Sequence, residues 1–181
     1  MALTKITGEG VGAVTNQFSS ANMPAGSSLQ VVSTTKTDTF STTAGGASPT
    51  DITGLSVSIT PSSTSNKVLV MFSVHVGSSA VSTTGIRLMR GSTAISIGDA
   101  AGNRPRMTMS GAGNSVNPWN SMPLATSFLD SPSSTSAVTY KLQMVGNGVA
   151  TNYVNRTGRD ANTTNDDYRS SSHITVMEIA G

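Results

Sequence analysis

The sequence predicts an all-β protein, a jelly-roll sandwich of about ten strands preceded by an extended N-terminal arm and trimeric in assembly. Three observations predict the fold class. The first is two-residue alternation. In Ser56 to Val76, SVSITPSSTSNKVLVMFSVHV, Val57 and Ile59 alternate with Ser56, Ser58 and Thr60. Val68, Val70, Phe72, Val74 and Val76 then share one face, opposite Leu69, Met71, Ser73 and His75. The second is a repeated string, Pro-Ser-Ser-Thr-Ser, at Pro61 to Ser65 and again at Pro132 to Ser136. Proline blocks ladder bonding, and Ser and Thr hydroxyls bond locally to turn backbone, so each string is expected at the tip of a β-hairpin. The third is that no stretch reads as a helix.

In chain order, Met1 to Ser28 scatters Leu3, Ile6, Val11, Val14 and Phe18 among glycines and polar residues. That pattern suits neither helix nor strand, and alone it buries too little to offset its ordering entropy. These five side chains are expected to lie on a partner, either a neighbouring subunit or another protein; the alternative is that the arm folds back on its own body. The body, residues 29–181, begins after Met23-Pro24-Ala25-Gly26. Leu29 to Thr35 and Thr37 to Thr42 read as strands, Ala44 to Thr50 as a loop, and the first hairpin follows. Gly85 to Gly91 is a strand that turns tightly at Arg90-Gly91-Ser92 into Thr93 to Ile97. Arg104 to Ser110 is a weak strand, and Ser110 to Pro123 is the longest irregular segment, carrying Trp119. The second hairpin has Val138, Tyr140, Leu142 and Met144 as its inward row. Gly146-Asn147-Gly148 turns into Val149 to Asn155, a polar loop follows, and Ser172 to Ile179 closes the chain as a strand expected inside a sheet.

A length of 181 residues fits one domain. Charged residues make up 11%, well below the roughly 25% of an average domain, and Ser, Thr, Asn and Gly supply the polarity. The formal net charge is +2, and the densest basic set, Arg87, Arg90, Arg104 and Arg106, has no interleaved aromatics. A nucleic-acid partner is therefore not expected. Without cysteine there is no disulfide frame and no thiolate metal site. The start, MALTKITGEGVGAVTNQF, lacks the apolar core of a secretory signal. No stretch approaches the roughly 18 apolar residues of a membrane helix. The expectation is a protein made in a cytoplasm, not exported by the ordinary route and not inserted in a membrane.

Catalysis is not expected. His75 and His173 sit in strand patterns, and no Gly-x-Ser-x-Gly elbow leads into a helix. Asp160, Asp166 and Asp167 share a loop with Asn162 and Asn165, but their spacing fits no calcium loop. Arg156, Arg159 and Arg169 nearby make local ion pairing the expected use of those acids. GEGVGA at Gly8 to Ala13 lacks the Lys-Ser ending of a phosphate loop. No metal and no cofactor is expected. Trp119, Arg156, Arg159 and Tyr168 are candidate contacts for a sugar or protein partner, with Trp119 otherwise plugging the open end of the sandwich. Val68 to Met71 and Val176 to Ile179 are consecutive apolar runs, so both faces of those strands need cover, and one sandwich covers only one face. Leu69, Met71, Met177 and Ile179 are thus candidate trimer-interface residues, unless long loops fold over them.

The MALTKI start, SLQVVSTTKTDTFSTT, DITGLSVSITPSSTSNKVLVMFSV and the ending HITVMEIAG together resemble small virion structural proteins of bacteriophages. Such proteins occur alone and as terminal domains of tail fibres. The likeness runs from Leu29 to the end, and the strand order is similar to the tumour-necrosis-factor-like jelly roll, whose members form threefold trimers. The resemblance implies a non-enzymatic homotrimer on the virion surface, assembled in the host cytoplasm. Its implied partners are copies of itself and the major capsid protein or a tail component. The role expected first is a capsid decoration or cement protein clamped by residues 1–28. The alternative is a tail-fibre head, an adhesin for a host-surface glycan or protein.

Overall fold

The structure is a computed structural model that describes residues 23–46, 48–113, 120–163 and 165–181, without the side chains of 112 and 113. The arm candidates Leu3, Ile6, Val11, Val14 and Phe18, and also Trp119, lie outside the described residues. Eleven strands and no helix are present among the described residues: β1 (Ser28–Lys36), β2 (Phe40–Thr42), β3 (Thr50–Ile59), β4 (Lys67–Ser78), β5 (Ser82–Arg90), β6 (Thr93–Ile95), β7 (Met109–Gly113), β8 (Ser121–Asp130), β9 (Val138–Val145), β10 (Asn152–Val154) and β11 (Ser172–Ile179).

They form two antiparallel sheets. In the first, the order is β1-β11-β4-β8, because β4 pairs with β11 on one side and with β8 on the other. Beyond the end of β11, β10 continues along β4 from Val76 to Ser78 and carries β2 on its outer side. In the second sheet the order is β3-β9-β5, with β6 and β7 sharing the far side of β5 end to end. Two facing four-strand orders of this kind, β1-β11-β4-β8 against β3-β9-β5-β7, make a jelly roll. The last strand is indeed internal to its sheet, as its sequence suggested.

The alternation read from the sequence is the burial pattern. Val68, Val70, Val74 and Val76 of β4 are fully buried, and Val57 and Ile59 of β3, Leu142 and Met144 of β9, and Ile174 and Val176 of β11 join them in one core. In β3 the period slips once. Ile52 and Leu55 are both buried, and a register shift between Asp51 and Ser56 accommodates the extra residue. Gly54 sits there at φ 86°, a left-handed conformation in which a side chain would be strained.

The two expected hairpins are absent. β3 belongs to the second sheet and β4 to the first, while β8 belongs to the first and β9 to the second. Each Pro-Ser-Ser-Thr-Ser string therefore arches from one sheet to the other. The alternating patterns were read correctly, but alternation fixes only which side chains face inward, not which strand is the neighbour. β3 pairs with β9 and β4 with β8, so the two arches lie together at one pole of the sandwich. The tight turn expected at Gly91-Ser92 is present, with Arg90 opposite Thr93 and Gly91 at φ 58°. Smaller differences are that β8 starts at Ser121, inside the segment expected to be irregular, and that β7 starts at Met109.

Candidate functional site

The outer face of the β1-β11-β4-β8 sheet is built from the residues that alternate with the core. Registers place Val31, Met177, Leu69 and Leu129 side by side across all four strands. The next row is Ser33, Thr175, Met71 and Ser127, and the one after is Thr35, His173, Ser73 and Ala125. Ile179 lies opposite Lys67, the one formally charged side chain in these rows. The row of four is partly open to solvent: Val31 is 55% and Leu129 47% exposed, whereas Leu69, Met71, Met177 and Ile179 are half-buried. Leu69, Met71, Met177 and Ile179 are the four residues singled out in sequence, and the fold brings them onto one surface. Val31 and Leu129 escaped sequence reading, because their membership depends on cross-strand register rather than on any apolar run.

The other sheet presents a different outer face. Lys141 Nζ lies 2.6 Å from Asp51 Oδ2, and Gln143 Nε2 donates to Asp51 Oδ1 at 2.8 Å. The hydrogen bond from Lys141, helped by that from Gln143, holds the Asp51 carboxyl below the ordinary aspartate range. One face is thus dressed with paired charges for water, and the opposite face is almost free of charge.

Each arch closes over a buried carboxylate. Beneath the first, Glu178 of β11 is 1% exposed and accepts hydrogen bonds from Ser62 N (2.6 Å), Ser62 Oγ (2.8 Å), Asn66 Nδ2 (2.6 Å) and Gln30 Nε2. Burial alone pushes its pKa up and is the largest single influence. The donors of Gln30, Asn66 and Ser62 together outweigh it and leave the carboxyl below the usual glutamate range. At the base of the second arch, Asp130 accepts from Tyr140 Oη at 2.7 Å and from Arg90 Nη1 at 3.0 Å to each oxygen. Burial first, and then the bond to Asp130, push the Tyr140 phenol far up.

The chain enters at the arch pole, where Gly26 N donates to Ala180 O at 2.8 Å and Ala180 N to Ser27 O at 2.9 Å. The opposite pole gathers the loops after β4, β9 and β10, linked by Ser79 N to Thr151 O at 2.9 Å and by Asn147 Nδ2 to Val81 O at 3.5 Å. Here the polar loop of residues 155–170 is knitted by ion pairs, as its composition suggested. Arg159 pairs with Asp167 and Asp166, and Asp160 with Arg156 (3.3 Å) and Arg169 (2.9 Å). The Arg156 guanidinium also lies 4.1 Å from the centre of the Tyr153 ring. Of the loop candidates, Arg156 and Arg159 are therefore engaged internally, and Tyr168 is 66% exposed with its hydroxyl donating to Asn165 O. His75 and His173 both stand on the flat outer face of the first sheet, and neither meets a carboxylate among the described residues. No group of three or more His, Cys, Asp or Glu residues is placed to hold a metal ion among the described residues.

No protein-family model matches the chain, and no curated protein matches it. Among solved structures it is similar to the infectious bursal virus derived T=1 particles, at 11% identity and a TM-score of 0.40 over 83% of this chain and 40% of that one. It is also similar to infectious bursal disease virus Gt strain (13% identity, TM-score 0.41, 87% of this chain and 39% of that one). A third similar structure is that of the Gx strain (13%, 0.39, 85% and 43%). The chain spans about two-fifths of the length of the solved structures it matches.

Proposed function

We propose that the protein is a non-enzymatic virion structural protein of a bacteriophage, a homotrimer that decorates the capsid and is held to the shell by its N-terminal arm. The observation that carries this reading is the nearly uncharged outer face with Val31, Met177, Leu69 and Leu129 in one row. Exposed apolar surface that is continuous rather than scattered marks a surface meant for a partner. Sister copies related by a closed symmetry cover such a face without an open-ended filament. Covering the residual exposure of one of these side chains is worth roughly 1 kcal/mol, so three copies together gain several. Buried polar side chains serve the fold: Glu178 and Asp130 hold the arches, and Asn155 is bonded to Lys36 O, Asp38 O and Ser172 Oγ. The sequence resemblance to phage virion proteins supplies the particle.

Removing residues 1–22 tests the role and leaves the Gly26–Ala180 pairing in place. A decoration protein so truncated remains a trimer but leaves capsids bare and less resistant to heat. Intact, fully stable heads with lost attachment to cells would contradict it and support a second reading, a tail-fibre head. That second reading is favoured by one feature, the pole opposite the chain's entry, where Val81, Val149 and Tyr168 are 66%, 88% and 66% exposed.

A further inference from the structure

The four arginines grouped in the sequence do not stay together. Arg90 joins Asp130, while Arg104 and Arg106 line a cleft of about 510 Å³ beside the second sheet, where the chain between β6 and β7 passes over β5 and the end of β9. The cleft is built into the fold. Gly98 N donates to Met107 O at 3.2 Å, Arg106 Nε to Gly98 O at 2.6 Å, and Arg87 Nε to Arg106 O at 3.2 Å. A side chain at Gly85 would meet Met107 Cγ at 2.9 Å, so the glycine lets Met107 settle onto the strand.

The arginines and aspartates are paired differently here than elsewhere among the described residues. Among the described residues, Arg90, Arg156, Arg159 and Arg169 are in ion pairs, and so are Asp38, Asp51, Asp130, Asp160, Asp166 and Asp167. Arg87, Arg104, Arg106 and Asp99 form none; Arg104, Arg106 and Asp99 line this cleft, and Arg87, on β5, is bonded to Arg106 O beside it. Their guanidinium hydrogen bonds go only to carbonyl oxygens, those of Arg106, Ala101 and Gly98.

Guanidinium forks recognise carboxylate and phosphate oxygens. Asp99 repels a bare anion but, as an acceptor, suits a ligand that also brings O–H donors. Thr83 adds a hydroxyl, and Met107 and Val145 add apolar wall against which the C–H face of a ring can lie. The volume falls within the roughly 300–1,000 Å³ of small-molecule sites. We propose that this cleft binds an acidic saccharide, with its anionic group on Arg104 and Arg106 and a ring hydroxyl on Asp99.

The test is amide NMR titration of the full chain with digalacturonate, glucose 6-phosphate, neutral lactose and sodium acetate. The expected result is saturable movement of the Gly98, Gly146 and Met107 signals with one or both sugar acids at about millimolar concentration or below, and at least about tenfold weaker binding of lactose and acetate. The carboxylate and phosphate arms show which anion is preferred. R104Q/R106Q should weaken sugar-acid binding about tenfold or more. D99A, which removes both the acceptor and the negative charge, should reduce the preference for sugar acids over acetate at least about threefold while leaving the fold intact. All three side chains are exposed, and an unchanged melting temperature checks that the variants fold. Binding unaltered in R104Q/R106Q, equal binding of lactose, shifts confined to other regions, or acetate binding as well as the sugar acids would each overturn the proposal. The readout is independent of oligomeric state, so it stands or falls separately from the assembly role.

Discussion

Glu178 is the residue on which the first arch depends, because four donors from Gln30, Ser62 and Asn66 converge on a carboxylate that forms no ion pair among the described residues. Its folded pKa lies below the unfolded value, so the stability it adds is present above the ordinary glutamate range, about pH 4.3, and is lost as pH falls through the folded value. Melting temperatures of the native chain and Glu178→Gln should therefore converge in acid. At pH 7 the variant is expected to be less stable by about 1–3 kcal/mol, since an amide N–H faces donors that need an acceptor. A constant difference between the two curves down to pH 3 would rule out this role. Asp130 plays the matching part at the second arch. Tyr140→Phe strips its buried partner and should cost about 1.5–3 kcal/mol in denaturant unfolding; a loss below about 0.5 kcal/mol would show that Arg90 alone suffices.

At the scale of elements, the two Pro-Ser-Ser-Thr-Ser arches set the topology. Facing sheets pack about 10 Å apart, a gap that a two-residue turn does not bridge. Replacing Pro61 to Asn66 by Asn-Gly, the turn a true hairpin prefers, should therefore abolish the cooperative fold, read as loss of near-ultraviolet circular dichroism and of dispersed amide signals. A folded product would mean that β3 and β4 can pair after all. This is also where sequence reading reached its limit. Which residues of β4, β9 and β11 face inward was legible, since alternation is local. The partner of each strand was not, because the Val57 to Tyr140 and Val70 to Phe128 pairings join residues far apart in the chain. The same holds for the candidate surface: Leu69, Met71, Met177 and Ile179 announced themselves as consecutive apolar runs, whereas Val31 and Leu129 joined them only through register.

The whole molecule is a sandwich with unequal sides. Asp51, Lys141 and Gln143 prepare one outer face for water, and the other has almost no charge. Residues 26 and 27 pair with Ala180 at the arch pole, and the exposed Val81, Val149 and Tyr168 lie at the other. Self-association through the nearly uncharged face is the claim on which the proposed role rests. It is tested most directly by light scattering behind size exclusion on the native chain and on Leu69→Lys/Met177→Lys at micromolar concentration. The account predicts three times the chain mass for the native protein and a folded monomer for the double variant. A native monomer, or a trimer untouched by two lysines in the middle of that face, would contradict it.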